Sequence, residues 1–215
     1  MEFFAADHHF GHNNIIRFCK RPVVDMRSMI DMLVAKHNER VTADDNVYFI
    51  GDMFWRTLGI DQTLEIFSRL AGKKHYVLGN HEEMVEGSWA LQNQFVWVKE
   101  RAFISYPNVI HTVVLDHYAG RVWRNSHRGA YQLYGHSHGE LPHEPGLLSM
   151  DVGVDCIGYA PISLDEVVGK MREKADLIDR QKKLDVLKAE QGKNESTYVS
   201  PRARGSSKMF STPLE

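Results

Sequence analysis

In the early part of the chain, short unbroken apolar runs alternate with segments whose apolar residues recur every three or four positions. The unbroken runs are residues 2–6, 47–50 and 75–78, and they predict strands covered on both faces. Between the first two, Met26, Met29, Ile30, Leu33, Val34 and His37 keep a helical period over residues 25–40, with Asp25 as N-cap. Between the second and third, Leu64, Phe67 and Leu70 predict a helix over 61–70 that stops at Gly72. Strand, helix, strand, helix, strand is the order of parallel strands joined by crossover helices.

Further on the pattern changes. Runs at 96–98, 102–105 and 109–115 follow one another without a helical period, and Tyr106-Pro107-Asn108 reads as the turn joining the last two. They predict a second, mixed or antiparallel sheet. Residues 120–130 read as a loop carrying Arg121, Arg124, His127 and Arg128, and strand-like runs return at 131–134 and 149–154. Ser163 with Glu166 three residues on is a capping box, opening a helix to about residue 191. Its stripe of Leu164, Val168, Met171, Ala175 and Ile178 is expected to pack on the domain or on a partner. Past that stripe Lys182, Lys183 and Asp185 intervene, and the helix is expected to project. From residue 192 the composition is that of a disordered tail. The expected organisation is one domain over 1–165, a partly projecting helix over 166–191 and a tail over 192–215.

Composition narrows this picture little. The 215 residues suffice for one well-cored domain, with an apolar share of 43% and a charged share of 25% that are ordinary for a globular protein. A net charge of −2 gives no push toward nucleic acid or an anionic membrane. Two cysteines, Cys19 and Cys156, make neither a disulfide framework nor a thiolate metal site, and a reducing, cytoplasmic setting is expected. The first residues carry no basic, apolar stretch, so no signal peptide is expected, and no apolar run nears the roughly 18 residues of a membrane span. Twelve histidines is a high count, and it directs attention to metal chemistry.

Five segments share one arrangement, a strand-like run followed by metal-capable residues. They are Asp7-His8-His9, Gly51-Asp52, Gly79-Asn80-His81-Glu82, Asp116-His117 and Gly135-His136-Ser137-His138. Residues two apart on an extended backbone point to one face, so Asp7 and His9 can reach one ion. Sites in parallel α/β sheets form at the carboxyl edge of the strands, where all five segments would lie. Two aspartates, one asparagine and four histidines exceed what one ion draws from protein and suggest two, the usual clamp for in-line displacement at phosphorus. Neutral imidazole and amide ligands would leave such a centre net cationic, which favours a phosphate anion.

Over residues 1 to about 165 this series resembles that of the calcineurin-like metallophosphoesterases. The segments Phe10-Gly11-His12-Asn13-Asn14-Ile15-Ile16 and Asp151-Val152-Gly153-Val154-Asp155 further resemble short phage and bacterial members. The resemblance implies an α/β sandwich of two mixed sheets flanked by helices, here with a C-terminal helix. It implies one divalent ion on Asp7, His9, Asp52 and His138 and another on Asp52, Asn80, His117 and His136, with Asp52 bridging. Manganese is the first expectation, with iron, zinc, nickel or cobalt as alternatives. A metal-bridging hydroxide would attack phosphorus in line, and His81 would protonate the leaving oxygen or stabilise charge on it.

Two positions depart from the family pattern. Trp55 stands where many relatives have an aspartate that orients the catalytic histidine, and Asp116 precedes His117 where Ser or Gly is common; Asp116 is read as a surface residue. His12, Arg56, His127 and Arg128 are candidates for substrate contact. The bland readings beside them are turn capping for His12, a surface ion pair for Arg56 and solvated loop charge for His127 and Arg128. The expected activity is metal-dependent hydrolysis of small phosphoesters, diesters ahead of monoesters, with self-association through the C-terminal helix as a further expectation. The alternatives are a nuclease with the same centre and a non-catalytic metal-binding scaffold.

Overall fold

The unbroken apolar runs become neighbouring strands of one sheet. The structure is a computed structural model that describes residues 1–106, 112–142, 144 and 146–196, with side chains as far as residue 189. Strand β1 (Glu2–Ala5) is followed by helices α1 (Asn13–Phe18) and α2 (Met26–Asn38), strand β2 (Asn46–Ile50), helix α3 (Ile60–Arg69) and strand β3 (Lys73–Val77). Two one-turn helices, α4 (Glu83–Glu86) and α5 (Trp89–Gln92), lead to β4 (Val98–Lys99) and β5 (Arg101–Ile104). Then come β6 (Val113–Asp116), a 3-10 turn at Ser126–Arg128, β7 (Tyr131–Tyr134), β8 (Ser149–Asp151), β9 (Ile162–Ser163) and helix α6 (Leu164–Ser196).

The first sheet has the order β4-β3-β2-β1-β9, parallel except where β9 runs against β1. The second has the order β5-β6-β7-β8, with β5 antiparallel to β6 and the rest parallel. The chain is thus an α/β fold of two mixed sheets flanked by helices, with a C-terminal helix, as expected. The runs are unbroken because both faces of the first sheet are covered. Phe3, Ala5, Val47 and Phe49 face a core shared with Met29 and Leu33 of α2 and Ile66 and Phe67 of α3. Their neighbours Phe4, Ala6, Tyr48 and Ile50 face the core between the sheets, where Val113, Leu115, Leu133, Val167 and Met171 meet them. Each such valine, leucine, isoleucine, methionine or phenylalanine side chain contributes about 1.5–3 kcal/mol by leaving water.

Both expected caps form. The Ser28 amide donates to Asp25 Oδ1 at 2.7 Å and the Asp25 amide to Ser28 Oγ at 3.1 Å, a capping box with serine at its third position. The Ser163 amide donates to Glu166 Oε2 at 2.9 Å and the Glu166 amide to Ser163 Oγ at 3.3 Å. Helices α1, α4 and α5 and strand β9 were not foreseen, being too short to display a period. The turn expected at residues 106–108 and the run at 109–111 fall largely outside the described residues; the strands on either side pair antiparallel, Arg101 with Asp116 and Ile104 with Val113.

Residues 1–177 form one compact unit, and a second unit begins at residue 178. The first extends beyond residue 165 because Val167 and Met171 are fully buried. In the second, Gln181 Nε2 donates to Asp185 Oδ1 at 2.7 Å, one helical turn on. Helix α6 reaches Ser196, so residues 192–196, expected as tail, are helical, and 197–215 lie outside the described residues. Among the described residues no helix is long and apolar enough to cross a membrane.

Candidate metal centre

The carboxyl ends of β1, β2, β3, β6 and β7 meet along one edge. Ala6 joins the two sheets there: its amide donates to the Val152 carbonyl and its carbonyl accepts from the Val154 amide, both at 2.9 Å. The His9 amide donates to the Asp52 carbonyl at 2.9 Å and the Gly135 amide to the His117 carbonyl at 3.1 Å. The expectation that Asp7 and His9 share a face through an extended backbone is not met. Both are left-handed, with φ of 58° and 53°, and so are Asp52 (54°), His136 (69°) and His138 (47°). Such angles cost non-glycine residues about 1–3 kcal/mol each and gather at functional sites. Five of the seven expected ligands carry them. Two glycines let side chains reach the backbone: a Cβ on Gly51 would lie 2.1 Å from His117 Nδ1, and one on Gly79 would lie 2.3 Å from Asp52 Oδ1.

The side chains fall into two groups. Asp7, His9 and His138 present ligand atoms within 4.8 Å of one another, and Asp52, His117 and His136 do the same. Asp52 lies between the groups, with Oδ2 3.7 Å from His9 Nε2 and Oδ1 3.6 Å from His117 Nε2. Asn80 Oδ1 lies 3.0 Å from His117 Nε2 and 2.8 Å from His136 Nδ1. The amides of Asn80 and His81 both donate to Asp52 Oδ1 at 3.0 Å.

This donor set fits divalent cations. Burial pushes the Asp7 carboxyl up to about 8; His138 and the His136 amide oppose the rise, and the acids Asp151 and Asp52 add to it. Burial, then the neighbouring His138 and Arg21, holds His9 down at about 2, so its ring is neutral. Both ring nitrogens of His9 are buried with no hydrogen-bond partner among the described residues. Neutral imidazole lone pairs beside crowded buried carboxyls form a site short of positive charge, and oxygen and nitrogen donors suit the mid-series divalent ions.

His81 lines a cavity of about 500 Å³ together with His9, Asp52, Asn80, His136, His138 and His12. Trp55 packs against His81 with ring centroids 4.4 Å apart, and His12 is stacked on it at 3.8 Å. At the position where the resemblance led to an expected aspartate, His81 thus meets an aromatic ring. Ile15, Phe18 and Lys20 form a further flank of the cavity. Arg56 is exposed, with its guanidinium 6.0 Å from the Trp55 ring; it makes no ion pair among the described residues and does not line the cavity. His127 and Arg128 are exposed on the 3-10 turn before β7, the opposite end of that strand from His136, and the structure does not bring them to the cavity. Asp116, expected at the surface, is buried: it pairs with Arg101 and accepts from the Tyr118 amide at 3.1 Å.

Sequence reasoning gave no role to several residues that hold the ligands. The Glu82 carboxylate accepts from the amides of Gly79 (2.6 Å) and Asp52 (2.9 Å) and from Tyr76 Oη, so it clamps two ligand loops together. Asp155 Oδ2 lies 2.9 Å from His138 Nδ1 and is gripped by Arg21. Glu82 and Asp155 lie inside motif segments and could have been questioned there. Arg21, beside Lys20 and Pro22, carries no one-dimensional mark of burial.

No protein-family profile matches the chain. It is similar to the uncharacterized protein MJ1445 of Methanocaldococcus jannaschii, 28% identical over 182 residues, which are 82% of this chain and 93% of that protein. The crystal structure of a protein of unknown function, AQ665 from Aquifex aeolicus, superposes with a TM-score of 0.62 at 21% identity, over 79% of this chain and 98% of that one. A conserved uncharacterized protein of Streptococcus pneumoniae, described as a predicted phosphoesterase, aligns at a TM-score of 0.34 and 15% identity over 71% of this chain, too distant to bear on function. The Aquifex likeness establishes a shared fold.

Proposed function

We propose that the protein is a phosphoesterase that works with two divalent metal ions and hydrolyses phosphodiesters ahead of monoesters. The observation that carries this is the position of Asp52, whose two carboxylate oxygens face a histidine from each ligand group, His9 at 3.7 Å and His117 at 3.6 Å. One ion would be held by Asp7, His9, Asp52 and His138, the other by Asp52, Asn80, His117 and His136. When bound, two such ions neutralise phosphate charge and bring the pKa of water toward neutrality. Water adds to phosphorus in line with the departing ester oxygen, and His81 supplies the proton or hydrogen bond that this oxygen needs as its bond to phosphorus breaks. Trp55, with His12 stacked on it, packs against the His81 ring, which lines the cavity. Diesters are favoured because Lys20 is the one cationic side chain lining the cavity among the described residues, and Ile15 and Phe18 offer an apolar flank to a second ester group.

The test is hydrolysis of a generic aryl phosphodiester beside its monoester, with metal-stripped protein given back manganese. Turnover restored by metal, absent in Asp52→Asn and lowered about 10²–10⁴-fold in His81→Ala, is expected. Stoichiometric ion binding without turnover of either ester would contradict the proposal in favour of a metal-binding scaffold.

A further inference from the structure

Arg21 places a cation where the proposed chemistry asks for none. Its side chain is fully buried, and it stands behind a centre that, on the reading above, takes positively charged ions. A buried guanidinium is tolerated only when its donors are satisfied. All five have acceptors. Nε donates to Asp155 Oδ1 at 2.8 Å, and Nη2 to Asp155 Oδ2 and to the Asp7 carbonyl, both at 2.8 Å. Nη1 donates to the His8 carbonyl at 2.7 Å and approaches Met29 Sδ at 3.3 Å.

The two carbonyls belong to the turn whose left-handed residues are Asp7 and His9. The carboxylate belongs to Asp155, 2.9 Å from His138 Nδ1. A carboxylate accepts, so Nδ1 carries the hydrogen and the Nε2 lone pair is left for a ligand role. One planar fork therefore joins all three members of a single ligand group, Asp7 and His9 through backbone and His138 through Asp155. The other group is held differently: His117 Nδ1 lies on the Ile50 carbonyl at 2.9 Å, and His136 Nδ1 on Asn80.

We infer that Arg21 and Asp155 are positioning residues that preassemble the Asp7–His9–His138 ligand group, and that group alone, before an ion arrives. This rests on the metal-centre reading of the site. Lysine cannot replace the arginine, because a point ammonium cannot fork a carboxylate and reach two carbonyls.

The experiment uses full-length Arg21→Lys and Asp155→Asn, each compared with wild type by calorimetric titration of the metal-free protein with manganese. A folded Arg21→Lys is expected to lose about 10–100-fold in one of two binding steps and nothing in the other. In parallel, ¹⁵N imidazole shifts of the metal-free protein are read at a pH where His138 is neutral. Wild type should show the Nδ1–H form, and Asp155→Asn a mixture of tautomers. Equal weakening of both steps, or of neither, overturns the inference and leaves Arg21 a plain core ion pair. If wild type binds no manganese, the proposed function fails, and the tautomer still judges the brace: an unchanged His138 in Asp155→Asn refutes it. If Arg21→Lys does not fold, Asp155→Asn carries both readouts.

Discussion

Asp7 shows what the site costs the molecule. Its carboxyl is fully buried, left-handed and pushed up to about 8 by burial, so without a counterion it is a liability. On the proposed function, a bound ion would remove that liability. Manganese at 100 times its dissociation constant should stabilise the protein by about 2.7 kcal/mol. For a chain of this size that raises the melting temperature by about 5–10 °C. Asp7→Asn should abolish the metal-dependent rise while its metal-free stability stays within about 1 kcal/mol of wild type; thermal unfolding with and without metal checks both. Tyr76 acts at the same scale. Its hydroxyl meets both oxygens of Glu82, at 2.9 and 2.8 Å, and accepts from the Met53 amide at 3.1 Å, all out of water. Tyr76→Phe strands these groups, and a loss of about 1–3 kcal/mol in denaturant unfolding is expected. The residue types of the centre could be read from the chain because Asp, Asn and His recur where apolar runs end. Their left-handed angles could not, since the backbone bonds around them, such as those of the Asp7 amide to the Gly51 carbonyl and the His9 amide to the Asp52 carbonyl, join residues far apart in the chain. The burial of Arg21 could not either, because its acceptors arrive from residues 7, 8 and 155.

Among the elements, α6 is tied down through its first turn. Glu166 caps that turn and accepts from Arg40 Nη2 at 2.6 Å. Burial opposes its ionisation, but Arg40 and Ser163 outweigh this and hold the carboxyl at about 2, below its ordinary 4.5. A depressed carboxyl stabilises the fold fully above its unfolded value and loses that contribution as pH falls toward the folded one. Wild type should therefore exceed Glu166→Gln in stability at pH 6, and the gap should close between about pH 4.5 and 2. Denaturant midpoints of the metal-free proteins across that range decide it; a constant gap would mean that the carboxylate's charge contributes nothing. Helices α2 and α3 were legible because their periods run over more than two turns with apolar faces. Helix α1 was not, yet it forms a flank of the cavity, and its six residues owe their place to contacts with α2 and the core rather than to any period.

For the molecule as a whole, the fold class was legible from alternation giving way to consecutive strands. The edge pairing of β9 was not, because a two-residue strand is defined only by the β1 it meets. The core between the sheets carries the architecture and aligns the two strand edges that form the centre. Leu133 is fully buried in it, one strand residue before the turn that leads to His136. Leu133→Ala should cost about 2–5 kcal/mol. It should also weaken metal binding, since the second sheet sets His117 and His136. On the proposed function both ligand groups share Asp52. Electron paramagnetic resonance of the manganese-loaded protein, read with metal analysis for wild type and Asp52→Asn, tests this sharing. Two manganese ions per chain with a spin-coupled spectrum, reduced in Asp52→Asn to a single uncoupled ion or none, is the predicted result. One ion per chain in wild type, or two ions whose coupling survives Asp52→Asn unchanged, would contradict it.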